Sequence, residues 1–200
     1  IGRDLTERRI IVANNLEGVG LKPADKYMNR YPHELSGGQL QRIAILRSMI
    51  LSPSVIVVDE PVSMLDVSIR AEVINMLYTS AKMKNAALVF ISHDIQTTRY
   101  ISDKIAVMYL GKIVESGKTE DVCRDPKHPY TKALMSNCAS VDPREKRIPI
   151  RLPGEPPTPI AIPPGCSFAP RCPIASAECR QTEQVLREME EGRLVRCMKC

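Results

Sequence analysis

Two hundred residues carry 28 Lys and Arg against 23 Asp and Glu, a net charge of +5. Hydrophobic residues at 44% allow a buried core and exclude wholesale disorder, while 4% aromatics and no Trp make that core aliphatic. The basic excess is too small and scattered for a nucleic-acid binder, so no nucleic-acid partner is expected. No apolar run reaches the roughly 18 residues of a spanning helix; the richest, Ile43 to Val58, is broken by Arg47, Ser48, Ser52 and Pro53.

In chain order, Asp4 to Leu16 reads as a helix with Leu5, Ile11, Val12 and Leu16 on one face. Ser36 caps a second helix that runs to about Leu51, where Ser52-Pro53 stops it. Val55 to Val58 is a short β-branched run, the pattern of a strand buried on both faces. Asp66 to Lys84 is helical, and Ala87 to Ile91 is a second buried strand. Asp103 to Ile113 reads as two short strands turning at Gly111-Lys112. Strand, helix, strand with buried strands implies an α/β fold with a parallel sheet. Pro143, Pro149, Pro153, Pro156, Pro157, Pro159, Pro163 and Pro164 then form a linker that suits neither helix nor central strand. The expected division is therefore 1–140, a Pro-rich linker over 141–165, and an irregular Cys-rich tail over 166–200. The chain opens on Ile1 with no signal peptide, which reads as a truncated or processed start.

The chemistry begins at Leu35-Ser36-Gly37-Gly38-Gln39. A Ser-Gly-Gly helix start offers free N–H groups, a positive dipole end and a hydroxyl with no Cβ in the way, which suits a phosphate. Alone, the triplet is more often a plain cap. Downstream stand Val55-Ile-Val-Val-Asp59-Glu60-Pro61, then Ser63-Met-Leu-Asp66, then Phe90-Ile-Ser-His93-Asp94. An acid pair at the end of a buried strand sits where α/β sheets hold their ligands. Asp59 would hold Mg²⁺ through water, Glu60 would polarise an attacking water, and His93 would reach the γ-phosphate or that water.

Five of the seven Cys lie after residue 165. An odd count without a secretion signal argues against a disulfide framework. Cys166-x₅-Cys172-x₆-Cys179-x₁₇-Cys197 brings four thiols that suit an iron–sulfur cluster or tetrahedral zinc. Cys197-x₂-Cys200 leaves the fourth ligand open between those two. Cys123 and Cys138 read as small buried hydrophobes on helices.

These motifs together resemble the ATP-binding-cassette ATPases. Leu35-Ser-Gly-Gly-Gln-Leu-Gln-Arg42 is similar to the signature motif, Val55 to Pro61 to Walker B, Ser63 to Asp66 to the D-loop, and Ser92-His93-Asp94 to the switch histidine. Tyr31-Pro-His-Glu-Leu, Val107-Met-Tyr-Leu-Gly-Lys-Ile-Val-Glu, His128-Pro-Tyr-Thr-Lys-Ala-Leu and Leu152-Pro-Gly-Glu-Pro-Pro resemble the di- and oligopeptide importer branch. The resemblance implies a partial ATPase domain: a helical signature subdomain plus part of a mostly parallel sheet, with an irregular Pro/Cys-rich C-terminal extension. It implies ATP and Mg²⁺ as ligands, Glu60 and His93 as catalytic groups, and Ser36, Gly37, Gly38, Gln39, Asp59 and Asp66 as nucleotide-site residues. It favours a [4Fe-4S] cluster on Cys166, Cys172, Cys179 and Cys197, with zinc as the alternative.

The implied partners are a second ATPase subunit, two membrane permease subunits and an extracytoplasmic substrate-binding protein, with the chain at the cytoplasmic face of the membrane. None of the 35 residues before Ser36 contains G-x-x-x-x-G-K, so the expectation is the C-terminal part of a longer subunit. The competing readings are a soluble ATPase of the same family outside transport and a non-catalytic metal-binding regulator.

Overall fold

The computed structural model describes residues 4–63, 65–138, 148–155, 157, 158, 160 and 164–200. Met64 of the Ser63–Asp66 loop and Pro143, Pro156, Pro159 and Pro163 of the expected linker lie outside the described residues. The chain divides into two compact units, Ile1–His93 and Asp94–Cys200.

In the first unit Asp4 caps α1 (Leu5–Gly18) by accepting from the Glu7 N–H at 2.7 Å. Only the end of this helix enters a core: Leu16 packs with Leu21 and Ala24, the latter just before α2 (Asp25–Met28). Leu5 is 77% exposed, so the apolar face expected to run from Leu5 to Leu16 is not buried along its length. α3 (Gly37–Met49) follows, then β1 (Val55–Asp59), α4 (Val67–Met83) and β2 (Ala87–Ile91). Asp66 starts α4 by accepting from the Ile69 N–H at 3.1 Å. The helix buries Val73, Ile74, Leu77 and Ala81, an i, i+1, i+4, i+8 stripe.

β1 and β2 pair in parallel from Val55↔Ala87 to Asp59↔Ile91, a βαβ unit. The expectation that both strands are buried on both faces fails. Ile56 is buried, but Val55 and Val57 are more than half exposed, and their cross-strand neighbours Ala87 and Val89 lie open on the same face. Side chains alternate across a strand, so one covered face leaves every second residue open.

In the second unit Asp94 caps α5 (Ile95–Ile101), accepting from the Gln96 and Thr97 N–H groups. β3 (Lys104–Tyr109) and β4 (Lys112–Lys118) form a hairpin. Its turn falls at Leu110-Gly111, one residue before the expected place. Both residues have positive φ, 45° and 75°, the left-handed pair that a two-residue hairpin loop demands. α6 (Thr119–Arg124), α7 (Pro129–Ser136), α8 (Ala177–Gln181), β5 (Arg187–Glu190) and β6 (Arg193–Val195) complete it.

The Cys-rich segment, expected to be irregular, supplies α8 and two strands. β6 pairs antiparallel with β4, giving the sheet order β3-β4-β6-β5. Cys123 lies on α6 and is buried, whereas Cys138 sits two residues beyond α7 and is only half-buried. The core gathers Val107, Tyr109, Val114, Val122 and Phe168. The Phe168 ring meets Tyr109 edge-on at 5.2 Å and is 1% exposed, a burial that stabilises by about 1.5–3 kcal/mol.

One carboxylate ties this unit together. Glu115 on β4 is fully buried and accepts from Arg193 Nη2 of β6 at 2.7 Å. It also accepts from the Lys127 N–H at 3.0 Å and the His128 N–H at 2.9 Å. A buried charge is tolerated when its lone pairs are taken in this way.

Candidate functional site

The first cluster is the start of α3. Ser36 Oγ accepts from the Gln39 N–H at 3.3 Å, and Gln39 Oε1 accepts from the Ser36 N–H at 3.0 Å, a reciprocal capping box. The Ser36 hydroxyl keeps its own proton to donate. The two glycines differ. A Cβ on Gly37 would meet only Leu65 Cδ2 at 3.9 Å, so packing does not require glycine there. A Cβ on Gly38 would lie 2.7 Å from Ile69 Cγ2, so this glycine lets α3 lie against α4. Arg42 spans the same unit. Nη1 donates to the Val19 carbonyl at the end of α1 at 2.9 Å, and Nη2 bonds the Glu72 carboxylate on α4.

The second cluster is the C-terminal end of β1. Asp59 closes the strand with an exposed carboxylate. Glu60 then adopts φ +46°, the left-handed region, while its N–H donates to the Ile91 carbonyl at 2.9 Å. That sharp bend aims its carboxylate at the end of β2. Glu60 Oε1 accepts from the His93 N–H at 2.9 Å and contacts His93 Nδ1 at 2.8 Å. Among the described residues Glu60 Oε2 has no partner. The Ser63 hydroxyl donates to the Glu60 carbonyl at 3.1 Å and fixes the turn. The His93 side chain is 79% exposed. Glu60 and His93 thus form one pair, Ser36 and Gln39 another, and Asp66 serves as the cap of α4.

The third cluster lies in the second unit. Cys166, Cys172, Cys179 and Cys197 line one cavity together with His128. Cys200 opens on a neighbouring cavity beside Lys127 and Lys132. Gly165, at φ +87°, makes the arrangement possible. A Cβ there would fall 2.6 Å from the Arg180 backbone, and the adjacent Cys166 N–H donates to the Cys179 carbonyl at 2.8 Å. Burial pushes the Cys166 and Cys172 thiols up. Hydrogen bonds from Ser176 lower Cys179, and one from the Cys200 thiol lowers Cys197 to about 6.

Among the described residues no three His, Cys, Asp or Glu side chains converge on a single ion.

His128 is buried, caps α7 by accepting at Nδ1 from the Tyr130 N–H at 3.1 Å, and is pushed down to about 4 by desolvation. Sequence reasoning assigned no role to His128, Glu115, Arg193 or Gly165. His-Pro at a helix start could have flagged the cap, and Gly165 beside Cys166 the close approach. Nothing local marks Glu115 as buried.

Residues 4–63 match the family described as "ABC transporter", and residues 114–179 match "Oligopeptide/dipeptide transporter, C-terminal region". The chain is 46% identical over 191 residues to "Dipeptide transport ATP-binding protein DppF" of Haemophilus influenzae, covering 96% of this chain and 58% of that protein. It is 51% identical over 184 residues to "Oligopeptide transport ATP-binding protein OppF" of Salmonella typhimurium, covering 90% and 54%. The chain therefore spans somewhat more than half the length of these relatives. A solved ATP-binding cassette of an ABC transporter in its ADP conformation superposes with a TM-score of 0.52 at 25% identity, covering 66% of this chain and 51% of that one. With both family matches in one chain and such relatives along nearly its whole length, this chain belongs to the ATP-binding-cassette family, in its oligopeptide/dipeptide transporter branch.

Proposed function

We propose that the chain is part of the ATP-hydrolysing subunit of a di- or oligopeptide importer. The observation that carries this reading is the Glu60–His93 pair at the ends of two parallel strands. One carboxylate oxygen is committed to His93 and the other is open. The committed oxygen holds the carboxylate in place, and Oε2 is left to polarise a water. Asp59, beside it and exposed, would hold Mg²⁺ through water, and His93 would meet the γ-phosphate. The Ser36 hydroxyl, the free N–H groups at the start of α3 and Gln39 would bind the γ-phosphate of a nucleotide held by the P-loop of an opposing subunit. Asp66, at the cap of α4, would lie at that same subunit contact.

The partners in this reading are that second ATPase, two membrane permeases and an extracytoplasmic substrate-binding protein, at the cytoplasmic face of the membrane. No described helix is long and apolar enough to cross one. Cys166, Cys172, Cys179 and Cys197 would hold a [4Fe-4S] cluster, which supplies a one-electron couple when bound. What supports a metal group there is that all four cysteines line one cavity, and zinc is the alternative.

The test is Glu60→Gln in the intact subunit, with turnover and nucleotide affinity measured side by side. Hydrolysis should fall at least ~10²-fold with ATP affinity nearly unchanged, because an interaction made in the transition state is lost. Unchanged turnover would remove Glu60 from the mechanism.

A further inference from the structure

A cavity of about 210 Å³ opens between the start of α7, Ile150 and Lys199-Cys200. Pro129, Ile150 and Ile174 give it apolar walls, and Lys127, Lys132 and Lys199 line it with them. Ile150 and Ile174 keep 40% and 46% of their surface open. We propose that this cavity binds a small carboxylate carrying an apolar group, as a short fatty acid or the C-terminal residue of a peptide does. The proposal goes beyond the ATPase reading and depends neither on it nor on a metal at the cysteines.

The three lysines are not equivalent. Lys127 Nζ pairs with the Asp125 carboxylate and stands 3.9 Å from Glu190, so its charge is met. Lys199 Nζ donates to the Ile174 carbonyl at 2.9 Å. That neutral acceptor fixes the ammonium at the cavity, leaves its charge unmatched and leaves it two N–H groups. Among the described residues Lys132 has no carboxylate partner. It is the fourth residue of α7, and its backbone N–H donates to the His128 carbonyl at 2.9 Å. A helix start carries positive partial charge, and α7 has no acidic residue in its first turn to offset it. Glu115 does not offset it either, since Arg193 neutralises that carboxylate. The first amides of α7 are not the donors: Pro129 has no N–H, and the Tyr130 N–H goes to His128 Nδ1. Lys132 and Lys199 therefore bring two unmatched ammonium groups to one apolar hollow. An inorganic anion would leave the isoleucines wet, and a neutral apolar molecule would leave the ammonium groups unmet. A carboxylate on a short apolar chain answers both.

Hexanoate is the first probe, titrated into the full chain at low ionic strength, with hexanamide and acetate as controls. Affinities would be read from the amide chemical shifts of the protein. Hexanoate should bind at about 1 mM, because ion pairs this open to water contribute little each. Each control should bind at least about tenfold more weakly, one lacking the charge and the other the chain. Lys132→Gln and Lys199→Gln should each weaken hexanoate about threefold, and the double variant about tenfold. Ile150→Ser should weaken it by a similar about threefold, whereas Lys104→Gln on β3 should leave it unchanged. N-acetyl-leucine set against hexanoate separates the sources: the tighter of the two names peptide or fatty acid, and either result sustains the site. Hexanamide binding as tightly as hexanoate overturns the carboxylate assignment, as does a hexanoate affinity that survives the double lysine substitution. A folded parent chain that binds neither hexanoate nor N-acetyl-leucine overturns the proposal altogether. No arm reads hydrolysis, so every outcome leaves the Glu60 assignment to its own test.

Discussion

Glu60 and Glu115 divide the chemistry of this chain between its two units. Glu60 follows a strand whose sheet is open on one face, bends into the left-handed region and keeps one carboxylate oxygen unbonded. Glu115 sits inside a four-stranded sheet, fully buried, and accepts from Arg193 and two backbone N–H groups. The first carboxylate is placed to act on something else, and the second to hold two strands and a helix together. The same side chain takes opposite roles because one site leaves lone pairs free and the other consumes them.

The sharpest way to break that contrast is to neutralise each glutamate in turn. Glu115→Gln should cost about 3–5 kcal/mol, because Arg193 is left buried without its counter-charge. Glu60→Gln should cost less than about 1 kcal/mol, since the amide oxygen still accepts from His93. Urea unfolding of both variants would show it, and equal losses would remove the distinction.

Next in size is a pH effect confined to the second unit. Desolvation holds His128 down to about 4 in the folded chain, against about 6.5 when unfolded. Below pH 6.5 the unfolded state binds a proton that the folded state refuses until about pH 4. Stability should therefore be flat above pH 6.5 and fall by about 3 kcal/mol as pH drops to 4. His128→Asn should flatten that slope; a slope that survives the substitution belongs to another group.

In the first unit the two glycines of the signature should part company. Gly38→Ala should destabilise by about 1–3 kcal/mol through the clash with Ile69. Gly37→Ala should change stability by less than about 0.5 kcal/mol, since its Cβ would make only an ordinary contact with Leu65, while lowering hydrolysis in the assembled subunit. Parallel thermal melts and turnover assays read both. The smallest effect should come from the open strand face. Val57→Thr, at a position 64% exposed, should change the unfolding free energy of the chain by less than about 0.5 kcal/mol, and a larger loss would mean that this face is covered.

Local sequence carried the elements wherever a side chain acts on its own backbone. Ser36 and Asp66 start their helices by accepting from the N–H three residues on, and β2 spans the residues expected, because caps and β-branched runs act within a few residues. The acid pair after β1 and His93 after β2 were legible for the same reason. Parallel pairing then carried both strand ends to one edge and brought Glu60 onto His93.

What stayed hidden needed partners far along the chain. Arg193 lies 78 residues from Glu115, Gly165 meets the backbone of Arg180, and β6 completes a sheet begun at β3. The segment after Cys166 looked irregular because its strands are short and its register is set by β4 rather than by its own pattern. His128 shows the division within one residue. The helix cap that fixes its tautomer is local and readable from His-Pro-Tyr, whereas the cavity it shares with four cysteines exists only once the tail has folded against β4.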